Sequence, residues 1–256
     1  MSSYSSYTEQ SDLSKRLQDL ALRAEKNCCV TNSNFLTPAE CMEAERLALS
    51  VDVKLLLHGG FPECERKIAF FLPYYVDEEE FDVGSIVKAV YIKSFFGEPG
   101  HRDYLGAILG LGIERNRVGD ILIDGSTAVI FCMASVSQLI LQELDKVGRY
   151  GVKSELSDLR SIPLPEKKTK LKSFTVKSLR LDAVTGDMFG LSRTAAAEMI
   201  RLGVVSLNYS VCDKTDASVK ENDVISVRGK GKGKISSVGG KSKKDRLFVE
   251  AEIYIN

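Results

Sequence analysis

Leu191-Ser192-Arg193-Thr194-Ala195-Ala196-Ala197-Glu198-Met199-Ile200-Arg201-Leu202-Gly203-Val204-Val205-Ser206-Leu207-Asn208 reads as a capped helix running into a strand. Ser192 is placed to accept from first-turn amides that lack an intrahelical partner. Ala196, Ala197 and Ile200 recur at three- and four-residue spacing and form one apolar stripe. Gly203 suits the left-handed residue that ends a helix. Val204, Val205 and Leu207 favour a strand, and Asn208 favours the turn after it. Upstream, Leu179-Arg180-Leu181-Asp182-Ala183-Val184 predicts a second short helix, closed by Gly186 or Gly190. Downstream, Val224 to Arg228 is β-rich and follows the turn-prone pair Asn222-Asp223.

The ordered positions of this stretch resemble the S4 RNA-binding domain. The Arg-Leu-Asp triplet is Arg180-Leu181-Asp182, the Ser-Arg opening of the second helix is Ser192-Arg193, and Ile-x-x-Gly-x-Val is Ile200 to Val205. Asn208 ends the strand, and Val219 to Ile225 supplies the closing Asn-Asp-x-Ile. The resemblance implies an α-L-like fold with Arg180 and Arg193 as RNA contacts. Ser192, Thr194, Arg201, Asn208 and Lys214 complete the expected RNA-facing set. Arg suits this task because its planar fork meets a phosphate with two bonds. The first turn of a helix also favours anions. Arginines facing inward or locked to carboxylates, with no continuous positive surface around them, would remove the basis for this reading.

Charge points the same way. Residues 161–256 carry 18 Lys+Arg against 11 Asp+Glu, whereas residues 1–160 carry 17 against 24, in a chain of formal net charge zero. A basic C-terminal part beside an acidic one is the pattern of a polyanion-binding module. The run Arg228-Gly229-Lys230-Gly231-Lys232-Gly233-Lys234 has two readings. If extended, its period of two sets Arg228, Lys230, Lys232 and Lys234 on one face as a flat basic rail. If not, it is a solvated loop, because glycines weaken strands. Lys241, Lys243 and Lys244 form a second basic cluster.

The six cysteines, at 28, 29, 41, 64, 132 and 212, include no Cys-x-x-Cys pair, so no zinc or redox spacing is visible, and they read as small buried hydrophobes. No apolar run approaches the length of a membrane span, and Met1 to Gln10 reads as a frayed Ser/Tyr-rich tail without the apolar core of a secretory signal. A cytoplasmic protein with no cofactor and no metal is expected.

Residues 1–75 read as a small α/β domain. It would comprise a helix over 11–28, a helix from Pro38 capped by Thr37 with Glu40 at its third position, a strand at 53–58, and a helix from Pro62 or Glu63 through Phe71. Residues 76–85 form an acidic linker. Residues 86–160 read as strand 86–94, helix 101–111, strands 119–124 and 127–133 around an Asp124-Gly125 turn, a helix capped at Ser135 running to Val147, and strand 151–156. That βαββαβ order is ferredoxin-like, the arrangement of RRM-like modules. Its third strand, Thr127 to Met133, lacks the basic-aromatic pattern that stacks bases, so Phe131 reads as core. Residues 174–256 are the S4 part, and the fold class is α+β multidomain. His58 and His101 lack an oriented partner and read as structural; His101 or Asp103 is suited to satisfying first-turn amides.

Phe35 to Glu40, Gly59 to Lys67 and Gly100 to Arg115 resemble signature blocks of the YlmH family, whose members carry a C-terminal S4 domain and are encoded beside bacterial cell-division genes. The resemblance covers nearly the whole chain. It implies a non-enzymatic partner of rRNA and tRNA, acting on the 50S subunit with peptidyl-tRNA in rescue of stalled nascent chains, with a further protein partner for the N-terminal domains. One departure stands out: the family often has an aromatic after Arg-Gly, and here Arg228-Gly229 leads into lysines. Two other classes compete. Arg180 to Gly186 also resembles the pseudouridine-synthase block in which the aspartate, here Asp182, is the nucleophile, but the chain after Gly186 is too short for that catalytic core. A purely protein-binding division factor would leave the basic part unexplained.

Overall fold

The computed structural model describes residues 2–162, 169–242 and 244–254, the side chains from Asp12 onward. The chain divides into two compact units, Met1–Pro165 and Glu166–Asn256. Lys243 of the second basic cluster lies outside the described residues.

The first unit opens with α1 (Ser2–Asn27), β1 (Thr31–Leu36), α2 (Pro38–Ala48), β2 (Lys54–His58) and β3 (Lys67–Leu72). The three strands form an antiparallel sheet in the order β1-β3-β2. The capping box at Thr37 is present: the Thr37 amide donates to Glu40 Oε2 at 2.6 Å and the Glu40 amide donates to Thr37 Oγ1 at 3.4 Å. Two readings are corrected here. The expected tail is helix from Ser2, because extending an existing helix fixes only one residue per added hydrogen bond. The helix expected through Phe71 is the central strand β3. Ile68, Phe70 and Leu72 point into one core while Ala69 and Phe71 point into another. A strand buried on both faces has no polar alternation, so its sequence gives no period to read.

The same unit continues through β4 (Val87–Ser94), α3 (His101–Gly110), β5 (Val118–Asp124), β6 (Thr127–Met133), α4 (Ala134–Glu143), β7 (Lys146–Val147) and β8 (Tyr150–Ser157). The sheet order is β5-β6-β4-β8-β7, every pair antiparallel. Taking β4, β5, β6 and β8 as the four main strands, this is the order 2-3-1-4. The fourth helix is shorter than expected and carries no Ser135 cap. It starts at Ala134, with the Ser137 hydroxyl donating back to the Ala134 carbonyl at 2.9 Å. Beyond it, Lys146–Val147 turns over Gly148 (φ 59°) to pair with β8. Leu144 and Val147 are buried, and their burial decides for the hairpin over a longer helix. The acidic stretch is not a free linker: Val76, Phe81 and Val83 pack on the core.

One face of the five-stranded sheet packs under α3 and α4 through Val90, Ile92, Ile130 and Cys132 against Tyr104, Ile108 and Ile140. The other face presents Val87, Ala89, Val129, Phe131 and Met133, which share a core with Phe35, Phe61, Ile68, Phe70 and Leu72 of the first lobe. The Phe61 and Phe131 rings lie 4.7 Å apart, centre to centre. Across the seam Asp120 accepts from the amides of Glu65 and Arg66. Beside it, Arg66 Nη2 donates within the first lobe to the Phe35 carbonyl at 3.1 Å, and Arg115 Nη1 donates within the middle lobe to the Val118 carbonyl. Gly119 lies directly under Phe35: a Cβ there would sit 2.6 Å from the ring.

The second unit runs β9 (Thr169–Val176), α5 (Leu181–Phe189), α6 (Arg193–Arg201), β10 (Val205–Leu207), β11 (Ser210–Val211), β12 (Val224–Val227), β13 (Gly231–Lys241) and β14 (Leu247–Tyr254). The strands form one antiparallel sheet, β11-β10-β12-β13-β14-β9. Of the two glycines proposed to close α5, Gly190 does so, at φ 68°. Gly186 is buried inside the helix. The core joins Leu181, Val184, Met188 and Ile200 to Val205, Ile225, Val227, Ile235, Val249 and Ala251. Among the described residues no helix is long and apolar enough to cross a membrane. The six cysteines are free, and three of them, Cys41, Cys64 and Cys132, are buried as expected. Cys28 and Cys29 are exposed.

The shared core predicts that Phe131→Ala, at a fully buried position, costs about 3–5 kcal/mol. Denaturant unfolding followed by a probe in each lobe should shift both transitions together. A transition of the first lobe left in place would contradict a common core.

Candidate nucleic-acid interface

The second unit brings the starts of its two helices together. Arg180 is the N-cap of α5 and Asp182 is its second helical residue, while Arg193 is the first residue of α6. Ser192 caps α6 as expected, its hydroxyl accepting from the Ala195 amide at 3.1 Å. Asp182 is the centre of the arrangement. Arg180 donates to it through Nε (3.2 Å) and Nη2 (3.1 Å), and Arg193 through Nε (3.1 Å) and Nη2 (3.4 Å). The Asp182 amide itself donates to the Thr215 carbonyl at 3.0 Å, fixing the helix start on the loop that carries Lys214.

The two arginines are therefore not free forks, because both are paired with Asp182. Each lays one edge on a carboxylate. They are not turned inward, however: the Asp182 side chain is 7% exposed, that of Arg180 38% and that of Arg193 60%. A guanidinium has five N–H donors, and each bidentate contact uses two of them, so the Nη1 edge of each remains for a ligand. Two cations on one anion also leave a net positive charge. Burial raises the Asp182 pKa, but the hydrogen bonds from Arg180 and Arg193 outweigh it and hold the carboxyl below its usual range. A cation in the first turn of a helix opposes the helix dipole by about 0.3–1 kcal/mol; the anchoring aspartate offsets this for Arg193.

The other expected contacts divide. Thr194 and Arg201 are exposed on α6 and, seven residues apart, lie on one face of it. Lys214 is exposed on the loop behind Asp182. Asn208 is committed to the fold instead. At φ 49° it donates through Nδ2 to Asp223 at 2.9 Å and accepts the Val224 amide at 3.0 Å, tying the end of β10 to the start of β12.

The four-residue basic rail does not form. Arg228 and Lys230 occupy the turn between β12 and β13, where Val227 pairs with Gly231. Only Lys232 and Lys234 share a strand face. Lys232 lies over the rings of Tyr209 (4.7 Å) and Tyr254 (5.5 Å), and Lys234 faces Glu252 across the sheet. The glycines have a packing reason: a Cβ on Gly233 would sit 2.8 Å from Met188 Sδ. The run is a hairpin whose glycine side slides under α5.

The histidines stay structural. His58 Nδ1 accepts from the Gly60 amide at 3.0 Å, and burial, then Lys67, pushes its pKa down. Burial, followed by Arg115, does the same to His101, and the α3 amides are served by Asp103, which accepts from Gly100 at 2.9 Å. Among the described residues no three His, Cys, Asp or Glu side chains group as a metal site.

Residues 9–73 match the family model described as "YlmH, N-terminal", and residues 77–161 match "Putative RNA-binding domain in YlmH". A Bacillus subtilis (strain 168) protein named "Ribosome-associated protein quality control protein P2" is 31% identical over 220 residues, 86% of either chain. The solved "Cell division protein ylmH from Streptococcus pneumoniae" is similar in fold, with a TM-score of 0.53 at 23% identity over 60% of this chain and 95% of that one.

The carboxylate anchor has a pH signature. An unfolded aspartate titrates near about 3.9, and Asp182 titrates lower in the fold. Its contribution is complete above the unfolded value and is lost as pH falls through the folded one. Asp182→Asn should cost about 1–2 kcal/mol at neutral pH, discounted for the exposure of the arginines. The difference from the parent should shrink as the pH falls below about 4. Urea melts at pH 7, 4 and 3 check this; a pH-independent difference would contradict it.

Proposed function

The chain belongs to the YlmH family, and on that premise we propose that it is a non-enzymatic RNA-binding protein that grips folded rRNA or tRNA through an S4-type second unit. The observation that carries this is the Arg180–Asp182–Arg193 cluster at two adjoining helix starts, with the outer guanidinium edges solvent-facing. The cluster sits in the part of the chain with seven excess cations. Folded RNA is recognised through phosphates and shape. A pair of forks fixed by a shared carboxylate meets phosphates without first losing side-chain freedom.

The site of action in this reading is the large ribosomal subunit holding peptidyl-tRNA, in rescue of stalled nascent chains in the cytoplasm. The name of the Bacillus relative supports a ribosomal partner. The 2-3-1-4 strand order supports a ferredoxin-like, RRM-like reading of the middle lobe. Its sheet is not proposed as the RNA reader, because the face carrying Phe131 is covered by the first lobe. A protein partner is kept for the N-terminal domains, while residues 77–161 carry the match to the RNA-binding model of the family.

The modifying-enzyme reading is disfavoured by the same cluster. Both Asp182 oxygens accept from guanidinium groups, which suits an anchor better than a nucleophile presented to a base.

Co-sedimentation with 30S, 50S and 70S particles tests the proposal; binding to 50S is expected. Arg193→Ala and Arg180→Ala, made singly so that Asp182 keeps one partner, should each weaken RNA binding about tenfold, the equivalent of one charged hydrogen-bonded contact. Each should also flatten the log–log salt slope by about one unit. Unchanged affinity and slope in both variants would refute it.

A further inference from the structure

Beside Arg193 the second unit holds a cleft of about 330 Å³. It is lined by Lys177 and Ser178, just past β9, by Gly186 and Asp187 of α5, by Arg193, and by Arg246, the residue before β14. Three cations thus line the cleft against one carboxylate, that of Asp187. Lys177 is exposed and lies three residues before Arg180. Arg246 is half-buried. Its Nη2 donates to the Thr175 carbonyl, its amide donates to Ser242 Oγ at 3.2 Å, and its buried Nε meets no acceptor among the described residues. The guanidinium is therefore tied to β9 at the Thr175 carbonyl, with Nε donor capacity unspent.

We propose that this cleft receives a phosphodiester of the bound RNA, with Lys177 and Arg246 as contacts beyond the helix pair. The inference rests on the RNA-binding reading above and extends its footprint onto β9 and the terminal hairpin. The chemistry is that of an oxyanion. Arg246 supplies a fixed fork, Lys177 a mobile point charge, and Arg193, which also belongs to the Asp182 cluster, joins the cleft to the helix-start surface. An RNA strand crossing that surface presents phosphates to both places in succession.

Full-length protein is titrated with bulk tRNA and with purified 50S subunits over a range of KCl concentrations. The variants are Lys177→Gln, Arg246→Gln, Arg246→Lys and, as a control in the first unit, the exposed Lys153→Gln. Lys177→Gln and Arg246→Gln should each lower the salt slope by about one unit and weaken binding roughly three- to tenfold at moderate salt. Arg246→Lys should keep the slope, and Lys153→Gln should match the parent. Arg246 also braces the hairpin, so a poorly folded Arg246→Gln leaves the decision to Lys177→Gln. If Arg193→Ala weakens binding while Lys177→Gln and a folded Arg246→Gln do not, the cleft proposal falls and the helix-pair reading stands. If Arg193→Ala also has no effect, the reading beneath it falls first.

Discussion

The second unit depends on one nearly buried carboxylate that holds two arginines. Without Asp182, Arg180 and Arg193 would be long, flexible cations at helix starts, one of them against the helix dipole. With it, each guanidinium has a fixed plane and a fixed free edge. An enclosed ion pair is weak evidence of stability, because desolvation cancels much of the attraction. Its value here is geometric: two forks are held at a set spacing on a surface that remains positive, since one aspartate cannot neutralise both. The same residue pins α5 to the Thr215 loop through its amide, so the proposed binding surface and the helix packing share an anchor.

The first unit follows a different constraint. Its five-stranded sheet has hydrophobic side chains on both faces, and only one is served by its own helices. The second is covered by the three-stranded lobe, with Phe61 on Phe131 and Phe35 on Gly119. Asp120 crosses this seam by accepting the amides of Glu65 and Arg66, and the sheet face carrying Phe131 is enclosed.

The glycine-lysine run joins packing to charge. Alternation along β13 turns Gly233 under Met188 and Lys232 and Lys234 to the opposite face. A side chain at Gly233 would have to displace that of Met188. Lys232 and Lys234 are half-buried, Lys232 engaged by two tyrosine rings, while Arg228 and Lys230 stand exposed in the turn.

Elements with a local cause were legible in the residues alone. The Ser192 and Thr37 caps, the period of α6, the Asp124-Gly125 hairpin and the order of the middle lobe each follow from side chains within a few positions of one another. The sequence also placed Arg180, Arg193 and Asp182 in one motif and the excess cations in one half. What it could not supply depended on distant partners. β3 was misread as a helix because burial on both faces erases periodicity. Asn208, expected among the RNA contacts, also ties the fold through bonds to Asp223 and Val224, fifteen and sixteen residues away. Arg246 went unnoticed because only the folding of a terminal hairpin brings it to Arg193. Residue types and their local spacing determined which helices and charges this chain would have. Which charges share a surface, and which are spent on the fold, was decided by tertiary packing, because a hydrogen bond or a buried face is set by neighbours in space.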